Sequence, residues 1–504
     1  MASPDTTPSA APRVAIVGGG VSALAAARRL IELLPHAAID LFEASDRLGG
    51  ILNTVQRGGF LIEQSADNFL IKPPAALDLC GKVGLQGDLL TTDESRRRAF
   101  VVRSGKLVPI PEGFYLMSPR RLWPILTSPA LSLRGKLRLL LEPFIPRRKS
   151  GFADDAPDQN SDESVAAFAR RRLGREVFEQ LVQPLVAGIY TADPEQLSMA
   201  ATMPQFREYE RSSGSLLRAT LRFRRPVDAN DGASAGDHTG RAASGARYGL
   251  FVTPKDGMSS LVGNISSQLS QVNIHLNAPI AGVHVEANRW RLQINASQLD
   301  NDSQSNLYDA AILALPAPAA AKVLKTSIVD LANELSAIDY AGCAVISLGF
   351  RRTQISHPLD GFGFVVPENE RRRIIAGSFA SLKFPGRAPE HHVLIRVFIG
   401  GALQPEMQRL PDDELIRIAT EELTELLQIT GSPVVTDVAR WPNSMPQYHV
   451  GHLARVRRIE QIVTQHPTLA LAGNAYRGVG IPHCVLSGES AASRIADSLF
   501  SSRK

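Results

Sequence analysis

The sequence predicts an α/β protein: a nucleotide-binding β-α-β unit at the N-terminus, α/β character again at the C-terminus, and a mixed sheet-and-helix insert between. Three observations carry this. First, RVAIVGGG reads as a β-branched strand running into glycines, VSALAAARRLIELLP as an alanine-rich helix, and AAIDLFEA as a second strand. The unit closes within about 30 residues, the span it needs. Second, near the end of the chain LALAG meets another glycine-spaced turn and then a small-residue helix, CVLSGESAASRIADSLF. Third, strand-like alternation returns between them in NIHLNAPIAGVHVEANRWRLQI, YAGCAVISLGF and HHVLIRVFIG.

Composition narrows the class. Of 504 residues, 44% are hydrophobic and 21% charged, ordinary for a soluble chain with room for several cores. The net charge of +5 suits an anionic ligand or an acidic membrane surface. No basic tail or recognition motif accompanies it, so no nucleic-acid partner is expected. Cys80, Cys343 and Cys484 build neither a metal motif nor a disulfide framework, which implies a reducing compartment and no metal. MASPDTTPSAAPR lacks the apolar stretch of a signal peptide, and LWPILTSPALSL falls short of the roughly 18 residues of a spanning helix. A cytoplasmic protein is expected. SGFADDAPDQNSDES reads as an acidic linker, and Val227–Arg247 as a low-complexity loop.

Gly18, Gly20 and Ala23 fill the G-x-G-x-x-G/A pattern between strand and helix. Gly18 permits the tight turn, Gly20 lets backbone approach a pyrophosphate, and Ala23 allows close helix–strand packing. The helix N-terminus then offers free N–H groups to phosphates. Glu43 ends the second strand about 20 residues further on, where a carboxylate can accept ribose hydroxyls. A packed β-α turn explains glycines alone, but not the strand, helix and acid together. In EASDRLGG, Arg47 and the paired glycines let backbone approach the rest of an elongated cofactor; a surface charge capping the turn is the plainer account of Arg47.

The C-terminal turn places Gly473 after a strand and Val479, Gly480 and Ile481 before a helix, whose N-terminal dipole would favour negative charge on a ligand there. The two turns are expected to hold opposite ends of one cofactor. His483 and Cys484 are adjacent, have no visible third partner, and are assigned no catalytic role.

These signatures resemble those of the monoamine-oxidase-like flavoproteins. The whole chain resembles the oxygen-dependent protoporphyrinogen oxidases and their bacterial relatives that act on coproporphyrinogen III. The matching passages include GFLIEQSADNFL, ESVAAFARRRLGREVFEQLVQPLVAGIYTADPEQLSM, SFASLKFPGRAPEHHVLIRVFIGG, MPQYHVGHLARV and AGNAYRGVGIPHC. The resemblance implies noncovalent FAD and a six-electron oxidation of a porphyrinogen with O2 as acceptor; the substrate leans to protoporphyrinogen IX. It implies a Rossmann-type FAD-binding domain in three parts (12–95, 248–295 and 451–504) and a mixed-sheet substrate domain (96–113 and 296–450). A helical membrane-associating domain (114–210) and a substrate-domain segment with a flexible loop (211–247) complete it.

By resemblance the FAD contacts fall on Gly18, Gly19, Gly20, Val21, Ser22, Ala23, Glu43, Ala44, Arg47, Gly50, Ile51, Ser65, Ala66, Asp67, Asn68, Ile280, Val479, Gly480 and Ile481. Substrate contacts fall on Arg98 (with Arg97 the alternative) for a propionate, Gly188 for flat access to the ring, and Phe379 for stacking on a pyrrole. A core aromatic is the other reading of Phe379. Lys72, Lys383 and Arg396 are further basic residues near the candidate pocket. Ala23 stands where the family usually has glycine, and SADN replaces a stretch that usually opens Gly-Pro. The apolar and basic stretch Phe114–Lys149 is expected to lie on a membrane surface, at the inner face of the cytoplasmic membrane, or to form a solvated lid. A homodimer is left open. The competing readings are an amine oxidase, whose cage tyrosine would fall at Gly480, a carotenoid desaturase, and a non-catalytic flavin-binding protein.

Overall fold

The computed structural model describes residues 11–148, 162–222, 251–294 and 306–501. Strand β1 (Arg13–Val17), helix α1 (Val21–Leu33) and strand β2 (Ala38–Phe42) form where the apolar pattern puts them. Around β1 and β2 a five-stranded parallel sheet assembles in the order Val272–His275, β2, β1, Ala310–Leu313, Leu469–Leu471. Its strands come from distant parts of the chain. Helices cover both faces, which is why β1 reads as an unbroken apolar run. One face packs α1, the helix Met258–Ser267 and the C-terminal helix Ile481–Ser501; the other packs Ala317–Leu324, Val329–Ser336 and His452–Thr464.

A seven-stranded mixed sheet forms the second layer. Its order is Val435–Pro446, Tyr340–Arg351, His392–Gly400, Ala376–Ser378, Gly363–Val365, Phe100–Arg103, Lys106–Pro109. Alternation divides its residues. Ala344, Ile346, Leu348, Ile395, Val397 and Ile399 face the helix Asp412–Leu427 in one core. Val345, Ser347, Arg396 and Phe398 point the other way.

A third core is helical, built on Val165–Leu173 and Gln183–Tyr190, with a π-helical turn at Phe178–Val182 just before Pro184. At its centre Arg172 and Glu142 form an ion pair with both side chains fully buried. Arg172 donates further to the Ile145 carbonyl, and Glu142 accepts from the Leu216 and Leu217 amides, while the buried Arg172 Nε has no hydrogen-bond partner among the described residues.

The structure corrects the expected boundaries in two places. Ala310–Leu313 lies between β1 and Leu469–Leu471, so this stretch and the helices after it belong with the parallel sheet, not with a substrate domain starting at 296. AAIL is apolar on both faces, and periodicity alone cannot say which sheet takes such a strand. Leu216–Arg222 packs with the helical core through Leu216, so the segment expected at 211–247 begins as part of that core. Val227–Arg247 and most of the acidic linker lie outside the described residues.

Candidate active site

Each of the two glycine turns leads into a helix, and the two helices pack together. Helix α1 starts at Gly20 with no side chain capping its first turn, so its N–H groups are left for a ligand. A Cβ built on Gly20 meets nothing within 4 Å, the property of a cradle that only a larger side chain would fill. The C-terminal helix starts at Gly480, whose carbonyl takes hydrogen bonds from the His483 and Cys484 amides. Small residues bring it against α1: a Cβ on Gly488 would lie 2.1 Å from the Ser22 carbonyl oxygen.

The paired glycines of the second signature stand back to back with the first. The Gly49 amide donates to the Gly19 carbonyl at 2.8 Å, and a Cβ on Gly50 would sit 3.3 Å from Gly20 Cα. Gly50 has φ +59, which costs glycine least. The Glu43 carboxylate accepts from the Gly19 amide at 2.6 Å and from the Ser45 amide and hydroxyl at 2.9 and 2.8 Å. Arg47 donates to the carbonyls of Leu48, Gly50 and Leu52. In this chain it therefore clamps the turn, the plainer of its two sequence readings. Ala44, Gly50 and Ile51 are exposed beside it.

Hydrogen bonds tie the C-terminal turn to the Ser65–Asn68 stretch. Asn474 donates to the Ser444 carbonyl (3.4 Å), Ser444 to the Trp441 carbonyl (3.0 Å), and Trp441 Nε1 to the Gln64 carbonyl (2.6 Å). Ser65 Oγ donates to the Ile51 carbonyl. The Tyr448 hydroxyl, which sequence reasoning missed, donates to the Asn474 carbonyl (2.5 Å) and accepts from the Gly478 amide (2.8 Å), pinning the turn from below. Its signal was the tyrosine in MPQYHVGHLARV.

Through Arg396 and Trp441, which donate to the Ser65 and Gln64 carbonyls, the Ser65–Asn68 stretch is joined to one face of the mixed sheet. A polar row crosses it: Asp437 pairs with Ser347, Ser347 with Arg396, and Arg396 with Ser378. Gly188 is exposed, with Val365 and Ala376 of the same sheet at 3.4 and 4.0 Å from where its Cβ would be. Asp67 reaches the row, with Lys383 Nζ and Arg396 Nη1 each 3.3 Å from Oδ2. Burial by itself would raise the Asp67 pKa, but these two cations hold it below the usual carboxylate range.

Two expected substrate contacts land elsewhere. Phe379 follows Ser378 by one residue and so faces the opposite side of the sheet, fully buried with Phe364 and His357. Its ring is unavailable for stacking on a pyrrole. Arg98 is held in an exposed ion pair with Asp360 at 2.7 Å, outside the polar row. Ile280 opens a strand packed against the second face of the parallel sheet, and the Gly473 amide donates to Ser487 Oγ at 3.1 Å.

A discontinuous parallel sheet with a glycine turn opening into an uncapped helix N-terminus defines a protein that binds an extended dinucleotide. The chain belongs to the flavin containing amine oxidoreductase family, whose model matches residues 22–496, and it is an FAD-dependent oxidase. It is similar to the coproporphyrinogen III oxidase of Bacillus subtilis (strain 168), 31% identical over 494 residues, covering 97% of this chain and 98% of that protein. It is also similar to protoporphyrinogen oxidase 2, chloroplastic/mitochondrial, of Arabidopsis thaliana, 30% identical over 498 residues, with 97% and 94% covered. A crystal structure from Exiguobacterium sp. 255-15, described provisionally as a protoporphyrinogen oxidase, superposes with a TM-score of 0.80 at 28% identity, covering 96% of this chain and 98% of that one.

Proposed function

We propose that this chain oxidises a porphyrinogen to the porphyrin with O2 as acceptor, protoporphyrinogen IX being the preferred substrate and coproporphyrinogen III the alternative. Near full-length similarity to proteins named for both substrates supports the reaction class. The observation that carries the reading is that Ser65 joins the second glycine turn, at the Ile51 carbonyl, to the polar row of the mixed sheet, at Arg396, with exposed Gly188 beside the same sheet. When bound, the flavin supplies the redox chemistry, taking electrons from the macrocycle in pairs and passing them to O2.

The chain's residues position and shield. The α1 amides and Gly20 would hold the pyrophosphate, Glu43 the ribose, and the Val479–Ile481 turn the redox end. Cys484 is buried, its thiol pushed up to about 11 by desolvation and turned to the Val479 carbonyl at 3.9 Å. It is a poor nucleophile there, which supports noncovalent flavin. Acid denaturation followed by filtration should release all the yellow colour. The function is tested by anaerobic mixing of the yellow protein with each porphyrinogen. Bleaching of the flavin, then H2O2 on admission of O2, is expected; no bleaching by either substrate would sink the reading.

We further propose a peripheral membrane contact. No helix among the described residues is long and apolar enough to cross a membrane. On Leu122–Thr127, Leu133–Leu140 and the turn after them, however, Trp123 (75%), Leu133 (77%), Leu137 (62%) and Phe144 (77%) are strongly exposed. Leu133 and Leu137 share a helix face, and Arg134, Lys136 and Arg147 flank it. Such a surface can lie among anionic headgroups. Vesicle flotation should require anionic lipid and be lost in Leu137→Glu/Phe144→Glu; no flotation of the wild type with any lipid would leave a solvated lid.

A further inference from the structure

The loop 474–478 leads from the parallel sheet into the turn Val479–Ile481, and among the described residues no backbone–backbone hydrogen bond holds it. Two side chains one helical turn apart hold it instead. The Tyr448 hydroxyl donates to the Asn474 carbonyl at 2.5 Å and accepts from the Gly478 amide at 2.8 Å. His452 Nε2 lies 3.0 Å from the Tyr476 carbonyl, and since a carbonyl only accepts, that nitrogen carries the proton. The two rings stack, with centroids 3.9 Å apart and planes 12° from parallel. Every second residue of the loop (Asn474, Tyr476, Gly478) is thus held by one stacked pair. The loop's other side-chain ties are weaker: Asn474 reaches the Ser444 carbonyl at 3.4 Å, and Arg477 pairs with Glu460 at the surface.

The pair is itself anchored in the helical core. The Tyr448 ring is buried there, and Val479 packs against the same core. The Tyr448 carbonyl accepts from the Ser198 amide at 2.7 Å, and the Val450 amide donates to the Gln196 carbonyl at 2.9 Å. Asp162 bridges the two segments, accepting from the Ser198 hydroxyl at 2.5 Å and the Gly451 amide at 3.3 Å. The helical core therefore reaches the C-terminal turn through a rigid ring, whose hydroxyl spends its one proton and accepts another on the loop backbone.

The positive end of a helix favours an anion only within about its first turn, so small displacements of that end matter. Reduced flavin gains negative charge, and the helix Ile481–Ser501 starts directly after Gly480. We propose that Tyr448 is a positioning residue for the reaction: its hydroxyl fixes the turn Val479–Ile481 at the flavin's redox end and so favours the reduced flavin over the oxidised. This rests on the assignment of that turn to the redox end.

Tyr448→Phe keeps the ring, the stack and the core packing, and takes the hydroxyl from the Asn474 carbonyl and the Gly478 amide. In the flavin-loaded variant the ratio of affinities for reduced and oxidised flavin should fall at least threefold, read as a drop of about 14 mV or more in the two-electron midpoint potential. Phe168→Leu, a deletion inside the same helical core, controls for lost stability and should move that ratio by less than threefold. A fall smaller than threefold in Tyr448→Phe, a rise, or an equal fall in Phe168→Leu overturns the proposal. Should Tyr448→Phe emerge without flavin, equilibrium titration with FAD and with ADP decides. FAD binding should weaken at least threefold more than ADP binding, and parallel weakening of the two overturns the proposal. Gly480→Ala separates the proposal from the reading it rests on: the new methyl fits, its nearest neighbours being 3.7 Å away, yet it stands on the turn itself. If Gly480→Ala shifts the potential and Tyr448→Phe does not, only the positioning role fails; if neither does, the turn does not meet the redox end and both fail. These measurements need no porphyrinogen, so they decide the role of Tyr448 even if the wild type oxidises neither substrate.

Discussion

Replacing Gly488 by alanine tests how the two helix N-termini are held together. The added methyl would lie 2.1 Å from the Ser22 carbonyl oxygen, 2.9 Å from its carbon and 3.2 Å from the Ala26 amide nitrogen. Carbon and oxygen rarely approach closer than about 3.3 Å, so the C-terminal helix must move off α1 by roughly 1 Å at the crossing. The obstacle is backbone, not the end of a flexible side chain. Such overpacking costs about 1–3 kcal/mol or more, against about 1 kcal/mol gained from alanine's helix propensity. With backbone as the obstacle the upper figure applies, so a net loss of roughly 2 kcal/mol follows, or about 4–8 °C in Tm for a cooperative unit of 150–250 residues. Displacing the N-terminus of α1 should also weaken flavin retention. Gly263→Ala is the control: it sits inside the helix Met258–Ser267 with nothing within 4 Å of the new methyl, and should stabilise by up to about 1 kcal/mol. Thermal unfolding of both variants, with flavin absorbance per polypeptide, decides. A Gly488→Ala protein as stable and as yellow as wild type would refute the packing argument.

Gly20→Val should leave the apoprotein folded, because its side chain enters open space at an ordinary negative φ of −72°, yet should abolish flavin binding; normal flavin content would remove the assignment of this turn. His452 is buried, with its pKa pushed down to about 4 by desolvation. Below pH 6.5 the unfolded chain therefore takes a proton that the folded one refuses, so this histidine's contribution to stability is complete above pH 6.5 and falls as the pH drops toward 4. His452→Gln should lose that slope, changing the gap between wild type and variant by about 2 kcal/mol between pH 7 and 4.5 in urea unfolding; a gap that stays constant would contradict it. Phe379→Ala should cost about 3–5 kcal/mol as a core deletion, with KM unchanged in whatever folds. A stable variant with a raised KM would restore the stacking role.

The cofactor end was legible because its chemistry is local. A strand, a glycine turn and a helix start are contiguous in sequence, and Gly18, Gly20 and Glu43 need only a few bonds between them and the backbone to define their roles. The substrate face was not legible in the same way. Ser378 and Phe379 are neighbours in the chain, yet one joins the polar row and the other the core beneath the sheet. Arg98 and Arg396 are both arginines near apolar strands, yet one pairs with Asp360 in solvent and the other is buried against Asp67.

By itself, then, the sequence determined the elements, the dinucleotide turn and the family, since these rest on periodicity and on backbone conformations that specific residues permit. Only the tertiary structure decided which side of the mixed sheet carries the polar row, that Arg47 clamps a turn, and that Asp67 is paired with Lys383 and Arg396. The reason is physical: a side chain's face is set by strand register, and its charge by partners brought from hundreds of residues away. Asp67 and Arg396 are separated by most of the chain, and their 3.3 Å contact exists only because the Ser65–Asn68 stretch packs against the mixed sheet.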